Sequence, residues 1–179
     1  MSESYNVVLL VEQELSPGDA AQVHSLHEGI EEPVAYHVLL PIEDASARIE
    51  AAMGSLAAGE VMASPAMVMS DVDLEALRKE CEERSIDELT RTIAALEATG
   101  STATGTVVSE PPIDALAAKV AEVDGREAII LTRPHVVAEF FHVDWTSRAR
   151  RKIGVPVLHL LEHESFDEQA GGGEGISGF

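Results

Sequence analysis

Five stretches of the chain show the hydrophobic pattern of buried β-strands. They cover residues 5–12 (YNVVLLVE), 34–40 (VAYHVLL), 101–110 (STATGTVVSE), 127–132 (EAIILT) and 155–161 (VPVLHLL). The first is apolar without alternation, which is typical of a strand that is covered on both faces of a parallel sheet. We therefore expect five strands in the core of the protein.

Stretches with helical periodicity separate these strands. Ser16 and Asp19 form the pattern of a capping box, ahead of a helix that ends near Gly29. Residues 112–125 predict a helix that ends at Gly125, and residues 145–152 predict a short basic helix. The alternation of strands and helices predicts an α/β fold: an open five-stranded parallel sheet with helices on both faces, Rossmann-like, with right-handed crossovers. Ligands of such sheets bind at the carboxyl ends of the strands, where the strand order reverses.

Residues 71–99 carry the clearest helical stripe. Its apolar positions recur every three or four residues and are Leu74, Leu77, Cys81, Leu89, Ile93 and Leu96. The stripe is disturbed around residues 83–86, so that the pattern is compatible both with one long helix and with two shorter helices. On the other face, acidic residues stand four positions before basic ones, and the expected pairs are Glu75–Lys79, Glu80–Arg84 and Asp87–Arg91.

Two segments lie outside this alternation. Residues 42–70 contain glycines, a proline and four of the five methionines, and we interpret them as an insertion or lid within a single domain of residues 1–163. The methionines Met53, Met62, Met67 and Met69 are expected to fill irregular parts of the core rather than to form an adaptable binding surface. Residues 164–179 form an acidic, glycine-rich tail that we expect to be disordered.

The charge of the chain excludes several classes of partner. With 32 acidic and 12 basic residues, its net charge is −20, which disfavours binding to nucleic acids and to anionic membranes. No basic region precedes the apolar stretch near the start, so no secretory signal is indicated and we expect a cytoplasmic protein without a membrane span. The single cysteine, Cys81, excludes an internal disulfide and is expected to pack as a buried thiol.

The few basic residues are unevenly distributed. Five of the 12 lie between positions 133 and 152, directly after the fourth predicted strand. They predict a small anion site at this loop, and the candidate ligands are Arg133, His135, His142, Ser147, Arg148 and Arg151. The alternative is that Asp144 caps the short helix and the basic residues complement its carboxyl end, without any ligand.

The histidines do not form a recognisable metal-binding pattern. His24 and His27 are three residues apart on a predicted helix, with Glu28 nearby, but a complete set of metal ligands is missing. We therefore interpret them as surface histidines and expect no metal. His37 and His159 lie within apolar strands, where a half-buried, hydrogen-bonded histidine is the ordinary case. Gly-x-Ser-x-Gly, the Walker loop and the zinc-protease helix are absent, so no catalytic residue is assigned.

The second half of the chain resembles the universal stress protein family. The resemblance rests on PPIDALAAKVAEVDGREAIILT, then a loop and a short helix, then KIGVPVLHLL. The first half agrees in its order of elements, and Glu12 stands at the end of the first strand, where the family usually has an aspartate. The resemblance implies the α/β fold over residues 5–162, a part in the stress response, a ligand site that includes Glu12, and dimerisation through the last strand.

The glycine motif of the ATP-binding members is missing from this chain. Its first two glycines fall on Thr132 and His135, and its third falls near Val143 and Asp144. Glycines in such loops allow positive φ and a close approach of backbone N–H groups to phosphate, whereas Pro134 has no N–H at all. We therefore expect no ATP bound in the glycine-loop manner and no other cofactor, while another nucleotide or phosphate ligand remains open.

Two functions are compatible with these features. The first is a universal-stress-protein-like domain that binds a small ligand or a partner without turnover. The alternative is a small enzyme that acts on a phosphorylated or carboxylated metabolite at the same loop, with His135 or His142 in acid–base chemistry. In both cases we expect a homodimer formed through the last strand and the aromatic cluster of Phe140, Phe141 and Trp145.

Overall fold

The computed structural model describes residues 4–42, 71–132 and 150–161. Its five strands are β1 (Tyr5–Val11), β2 (Val34–Pro41), β3 (Thr102–Val108), β4 (Glu127–Thr132) and β5 (Val157–Leu161). Its three long helices in these ranges are α1 (Pro17–Ser25), α2 (Asp71–Glu97) and α3 (Pro112–Val123). A helical turn over residues 150–153 precedes β5.

The strands form one parallel sheet in the order β3-β2-β1-β4-β5. From β1 the chain moves outward to β2 and β3, and it then returns to the other side of β1 to form β4 and β5. The order therefore reverses between β1 and β4. The predicted α/β fold with a five-stranded parallel sheet is confirmed.

The sheet is covered on both faces, as its continuous apolar strands predict. On one face, alternate residues of the central strands (Val7, Leu9 and Val11 in β1) pack beneath α1 and the second half of α2. On the other face, Val8 and Leu10 pack with Leu116 and Val120 of α3. Side chains that alternate along a strand thus enter two separate cores.

The start of α1 has the capping box that the sequence predicts. The Ser16 hydroxyl accepts a hydrogen bond from the Asp19 backbone N–H, and the Asp19 carboxylate accepts one from the Ser16 N–H. The helix therefore satisfies its own first N–H groups, and Asp19 is buried while doing so.

The stripe of residues 71–99 forms one continuous helix of 27 residues, α2. Cys81, Leu89 and Leu96 are buried, and Ser85 lies between them on the same buried side, so that the interruption in the apolar pattern does not break the helix. Glu80 and Arg84 pair as expected, at 3.2 Å. Of the other residues, Lys79 lies 3.8 Å from Glu83, and Arg91 binds Glu14 outside the helix, with Asp87 also acting on Arg91 electrostatically.

The end of α3 differs by one residue from the prediction. Asp124, not Gly125, adopts the left-handed conformation, with φ of 51°. Gly125 is needed for another reason: a Cβ atom there would lie 3.2 Å from Val8 Cγ2 and 3.3 Å from the Val120 backbone. The glycine therefore allows the chain to pass closely between α3 and β1.

Several expectations fall on residues that the structure does not describe. These are residues 43–70 of the predicted insertion or lid with its methionines, the aromatic cluster at 140–145, and the tail at 164–179. In the described ranges, none of the helices is both long enough and apolar enough to cross a membrane.

Candidate functional site

The point where the strand order reverses is formed by the carboxyl ends of β1 and β4. Val11 and Leu131 form the last pair in register, and the Glu12 N–H then donates to the Leu131 carbonyl at 3.2 Å. Glu12 is therefore fixed beside Thr132, at the position where open α/β sheets bind their ligands. Its side chain is half-buried, as are those of the next two residues, Gln13 and Glu14.

On the β5 side, Thr132 contacts a histidine. The Thr132 hydroxyl and His159 Nε2 are 2.8 Å apart. Burial lowers the pKa of His159 below its ordinary value of 6.5, which favours the neutral imidazole. His159 is thus the half-buried, hydrogen-bonded histidine that its strand context predicts.

On the α1 side, the loop that carries Glu12 is attached to α2. The Leu15 N–H donates to the Thr92 hydroxyl at 3.0 Å, and Arg91 Nε donates to the Glu14 carboxylate at 2.7 Å. The sequence pattern did not reveal either contact, since Arg91 had a nearer acidic residue in Asp87, and nothing in a helical stripe marks Thr92 as the partner of a loop.

The remaining strand ends contribute backbone and short polar side chains. After β2, the Ile42 N–H donates to the Val108 carbonyl at 2.9 Å, which extends the β2–β3 pairing to the sheet edge. Ser109 and Glu110 follow β3 and are exposed. The start of α3 is linked to the turn before β5, because Lys152 pairs with Asp114.

Two of the seven predicted site residues lie in the described parts of the chain. Glu12 occupies the carboxyl end of β1, as the resemblance implies. Arg151 lies exposed in the helical turn that ends at Ile153, together with Arg150 and Lys152. Positive side chains at the carboxyl end of a helix stabilise its dipole. The other five, Arg133, His135, His142, Ser147 and Arg148, lie outside the described residues.

At the amino end of β4, His27 forms a polar cluster that the sequence did not predict. His27 is only 3% exposed, so its interpretation as a surface histidine is wrong. Its Nε2 atom bonds to the Glu127 carboxylate, and its Nδ1 atom lies 2.8 Å from the Tyr36 hydroxyl and 2.9 Å from the Val23 carbonyl. Burial raises the pKa of Tyr36 to about 12. The carboxylate partner comes from β4 and not from the neighbouring Glu28.

A second polar row crosses the face of the sheet beneath α3. His37 lies between Thr104 and Asn6, at 3.2 Å and 3.1 Å, and the Asn6 amide donates to the Val123 carbonyl at 2.8 Å. Because the amide nitrogen faces Val123, the Asn6 oxygen must accept from His37 Nε2, and His37 Nδ1 must accept from Thr104. Burial, together with the nearby Lys119, lowers the pKa of His37.

The described groups at the sheet's carboxyl edge have a defined chemistry. A carboxylate such as that of Glu12 is able to accept hydrogen bonds from hydroxyl or amino groups, whereas a negative charge at this position disfavours an anion. Within residues 4–42, 71–132 and 150–161, no three His, Cys, Asp or Glu side chains are grouped in a way that would hold a metal ion.

No protein-family model matches the chain, and no curated protein matches it either. The solved structure of the hypothetical protein MJ0577, a test case of structural genomics, has a TM-score of 0.58 and 13% identity, and the match covers 90% of this chain and 99% of that one. A universal stress protein from Archaeoglobus fulgidus has a TM-score of 0.45 at 12% identity, over 87% and 93% of the two chains. An AMP-bound universal stress protein family member from Arabidopsis thaliana has a TM-score of 0.48 at 11% identity, over 88% and 92%. The likeness to MJ0577 shows a shared α/β fold.

Proposed function

We propose that this chain is a universal-stress-protein-like domain that binds a small anionic ligand at the carboxyl ends of β1 and β4 through side chains. The observation that carries the proposal is the reversal of the strand order next to the half-buried Glu12. In open α/β sheets, such a reversal leaves a crevice at the carboxyl ends of the two strands, where ligands bind. Glu12 is fixed at this crevice by its backbone hydrogen bond to β4.

The ligand has two kinds of contact in this proposal. Glu12 accepts a hydrogen bond from a hydroxyl or amino group of the ligand. The basic residues that follow β4 in sequence supply the contacts to its anionic group, with Arg133 directly after Thr132 and Arg148 further on. Arginine suits this role because its planar guanidinium binds phosphate or carboxylate through two parallel hydrogen bonds.

Side chains replace a backbone cradle because the loop sequence is poorly suited to one. Pro134 has no N–H to offer, and it restrains Arg133 toward an extended conformation. Val136 and Val137 are β-branched, and such residues rarely adopt the left-handed turns that point successive N–H groups at a phosphate. ATP bound in the glycine-loop manner is therefore not part of the proposal.

Titration calorimetry with four compounds tests this function. Inorganic phosphate, ribose 5-phosphate, AMP and ATP are titrated into the wild type and into the double variant Arg133→Ala/Arg148→Ala. We expect at least one of them to bind the wild type, and the double variant to bind it at least tenfold more weakly, because hydrogen bonds to charged groups contribute about 1.5–3 kcal/mol each.

A control variant removes the same charge from the opposite end of the sheet. Lys119→Ala/Arg126→Ala affects a side chain of α3 and the residue just before β4, so the affinity should remain within about twofold of wild type if only long-range charge is lost. Binding that is unaffected by loss of Arg133 and Arg148, or no binding of any compound to the wild type, contradicts the proposal.

We also infer that the protein is a homodimer that pairs through β5. β5 is one edge of the described sheet, and Leu158 on this strand is 37% exposed. An apolar edge strand is a liability unless it is covered, for example by a second copy of the chain. Phe140, Phe141 and Trp145 precede this strand in sequence and extend the apolar surface in the proposal.

A further inference from the structure

The loop between β1 and α1 is attached at both of its ends. At its start, the Glu12 N–H donates to the Leu131 carbonyl of β4. At its end, the Leu15 N–H donates to the Thr92 hydroxyl of α2, at 3.0 Å. Only two residues lie between these attachments, so the backbone around Glu12 has little freedom.

The contact between Leu15 and Thr92 is fully buried. Thr92 is 0% exposed and Leu15 is 1% exposed. A buried backbone N–H is costly when unpaired, and here the Thr92 hydroxyl oxygen accepts its hydrogen bond. The Leu15 side chain belongs to the core beneath α1 and α2, so the same residue anchors the loop through its backbone and through its side chain.

The neighbouring residue of α2 reinforces the attachment from the solvent side. Arg91 Nε donates to Glu14 Oε2 at 2.7 Å, with both side chains substantially exposed. Exposed ion pairs contribute little, so we assign the main effect to Thr92 and a smaller one to Arg91. Two consecutive helix residues thus contact two consecutive loop residues.

The hydroxyl of Thr92 is used in a different way from that of a neighbouring threonine. Thr90 is exposed, and its hydroxyl donates to the Ile86 carbonyl one turn earlier in α2, at 2.8 Å. That is the ordinary bond of a threonine inside a helix. Thr92 instead receives a hydrogen bond from a residue 77 positions away.

We propose that Thr92, assisted by Arg91, is the positioning residue of the ligand site, and that it holds the β1–α1 loop so that Glu12 is ready to contact the ligand. The ligand contact itself rests on the function proposed above. A loop that is already ordered loses less entropy on binding, and its contacts therefore give a higher affinity. Helix α2 would then determine how tightly the ligand is bound at the carboxyl end of β1.

We refer to the hydrogen bond between the Leu15 N–H and the Thr92 hydroxyl as the clamp. Amide hydrogen exchange of the free protein, followed by NMR at the resolved Leu15 signal, tests this clamp in the absence of any ligand. Thr92→Val keeps the shape of the side chain and removes the acceptor, and we expect Leu15 to exchange at least about tenfold faster, as is typical when a buried hydrogen bond is lost. Thr92→Ser restores the hydroxyl and should bring the rate back to within about threefold. Thr90→Val, the matched control on the same helix, should leave the Leu15 rate unchanged.

The same variants are then titrated with whichever of the four compounds the wild type binds. We expect Thr92→Val to weaken binding by at least about fivefold and Thr92→Ser to rescue it, since the ordering of the loop now accompanies binding. Arg91→Gln should weaken binding by about twofold, whereas Arg84→Gln, which breaks the exposed ion pair with Glu80 within α2, should have no effect. If a Thr92 variant does not fold, Arg91→Gln still tests the positioning role, because Arg91 is exposed and its replacement should not disturb folding.

Each outcome decides one part of the inference. An unchanged Leu15 exchange rate in Thr92→Val would show that α2 does not clamp the loop. Faster exchange with unchanged affinity would show that the clamp does not position Glu12. If the wild type binds none of the four compounds, the proposed function and the positioning role fail together, while the exchange rates still decide whether the clamp exists.

Discussion

His27 Nε2 donates a hydrogen bond to the carboxylate of Glu127, although the two residues are 100 positions apart in sequence. The imidazole is buried, and its Nδ1 atom reaches the Tyr36 hydroxyl. One side chain therefore connects the turn after α1 with β2 and β4 at the amino end of the sheet. This end is opposite to the candidate ligand site, so the cluster is assigned to stability and not to binding.

Replacing His27 should destabilise the protein strongly. His27→Ala removes the partner of the Tyr36 hydroxyl, removes the donor to Glu127 and leaves a cavity, and we expect a loss of about 2–4 kcal/mol in the free energy of unfolding. His24→Ala is the matched control: His24 is half-buried and bonded to Ser101 at 3.1 Å, and about 1 kcal/mol is expected there. Urea unfolding followed by circular dichroism measures both, and equal losses would contradict the assignment.

The two tyrosines of the chain should ionise separately. Burial raises the pKa of Tyr36 to about 12, and burial raises that of Tyr5 by less, with Glu127 and Arg126 acting on it in opposite directions. Tyrosinate absorbance should therefore show a late step from Tyr36, which Tyr36→Phe removes. In the unfolded state the Tyr36 phenol loses its proton near pH 10.0. The contribution of neutral Tyr36 to the free energy of unfolding is therefore complete below that pH and is lost as the pH rises through about 12. A wild-type titration in which both tyrosines ionise with midpoints near 10.0 would refute this.

Acid should weaken the fold through two half-buried histidines. Burial lowers the pKa of His37, with help from Lys119, and burial lowers that of His159, so both favour the neutral form in the folded state. The unfolded chain takes up these protons first, near pH 6.5, and the stability is therefore complete above that pH and falls as the pH drops toward the folded pKa values. The urea midpoint of the wild type should decrease more on mild acidification than that of His37→Gln/His159→Gln. Equal decreases of the urea midpoint in the wild type and the double variant would show that His37 and His159 are not the cause of the loss of stability in acid.

A charge on the edge strand should separate the proposed dimer. We expect light scattering of the wild type at micromolar concentration to give about twice the chain mass of 19.1 kDa, and Leu158→Glu to give the mass of one chain. Ile86→Glu is the matched control, because Ile86 is also an exposed apolar residue, at 48%, but lies on α2 away from the sheet edge. A monomeric wild type, or a dimer that persists in Leu158→Glu, would rule out pairing through β5.

Local patterns sufficed for the elements of this fold. The apolar runs predicted all five strands, and Ser16 with Asp19 predicted the start of α1, because a capping box is made by residues three positions apart. The order of strands and helices likewise predicted the parallel sheet. For the candidate site, the same reasoning predicted a place at the strand ends and the family resemblance added Glu12, and both stay predictions.

The sequence by itself determined the elements, the two-sided burial of the sheet and the acidic character of the chain, since each depends on neighbours along the backbone. The tertiary structure alone decided that His27 is buried against Glu127, that Arg91 binds Glu14 rather than Asp87, and that Thr92 holds Leu15. These contacts join residues that are 77 to 100 positions apart, and they depend on the strand order and on the rotation of α2 about its axis. Neither quantity is encoded in a local pattern, because hydrophobic spacing specifies which face is buried but not which residue it meets.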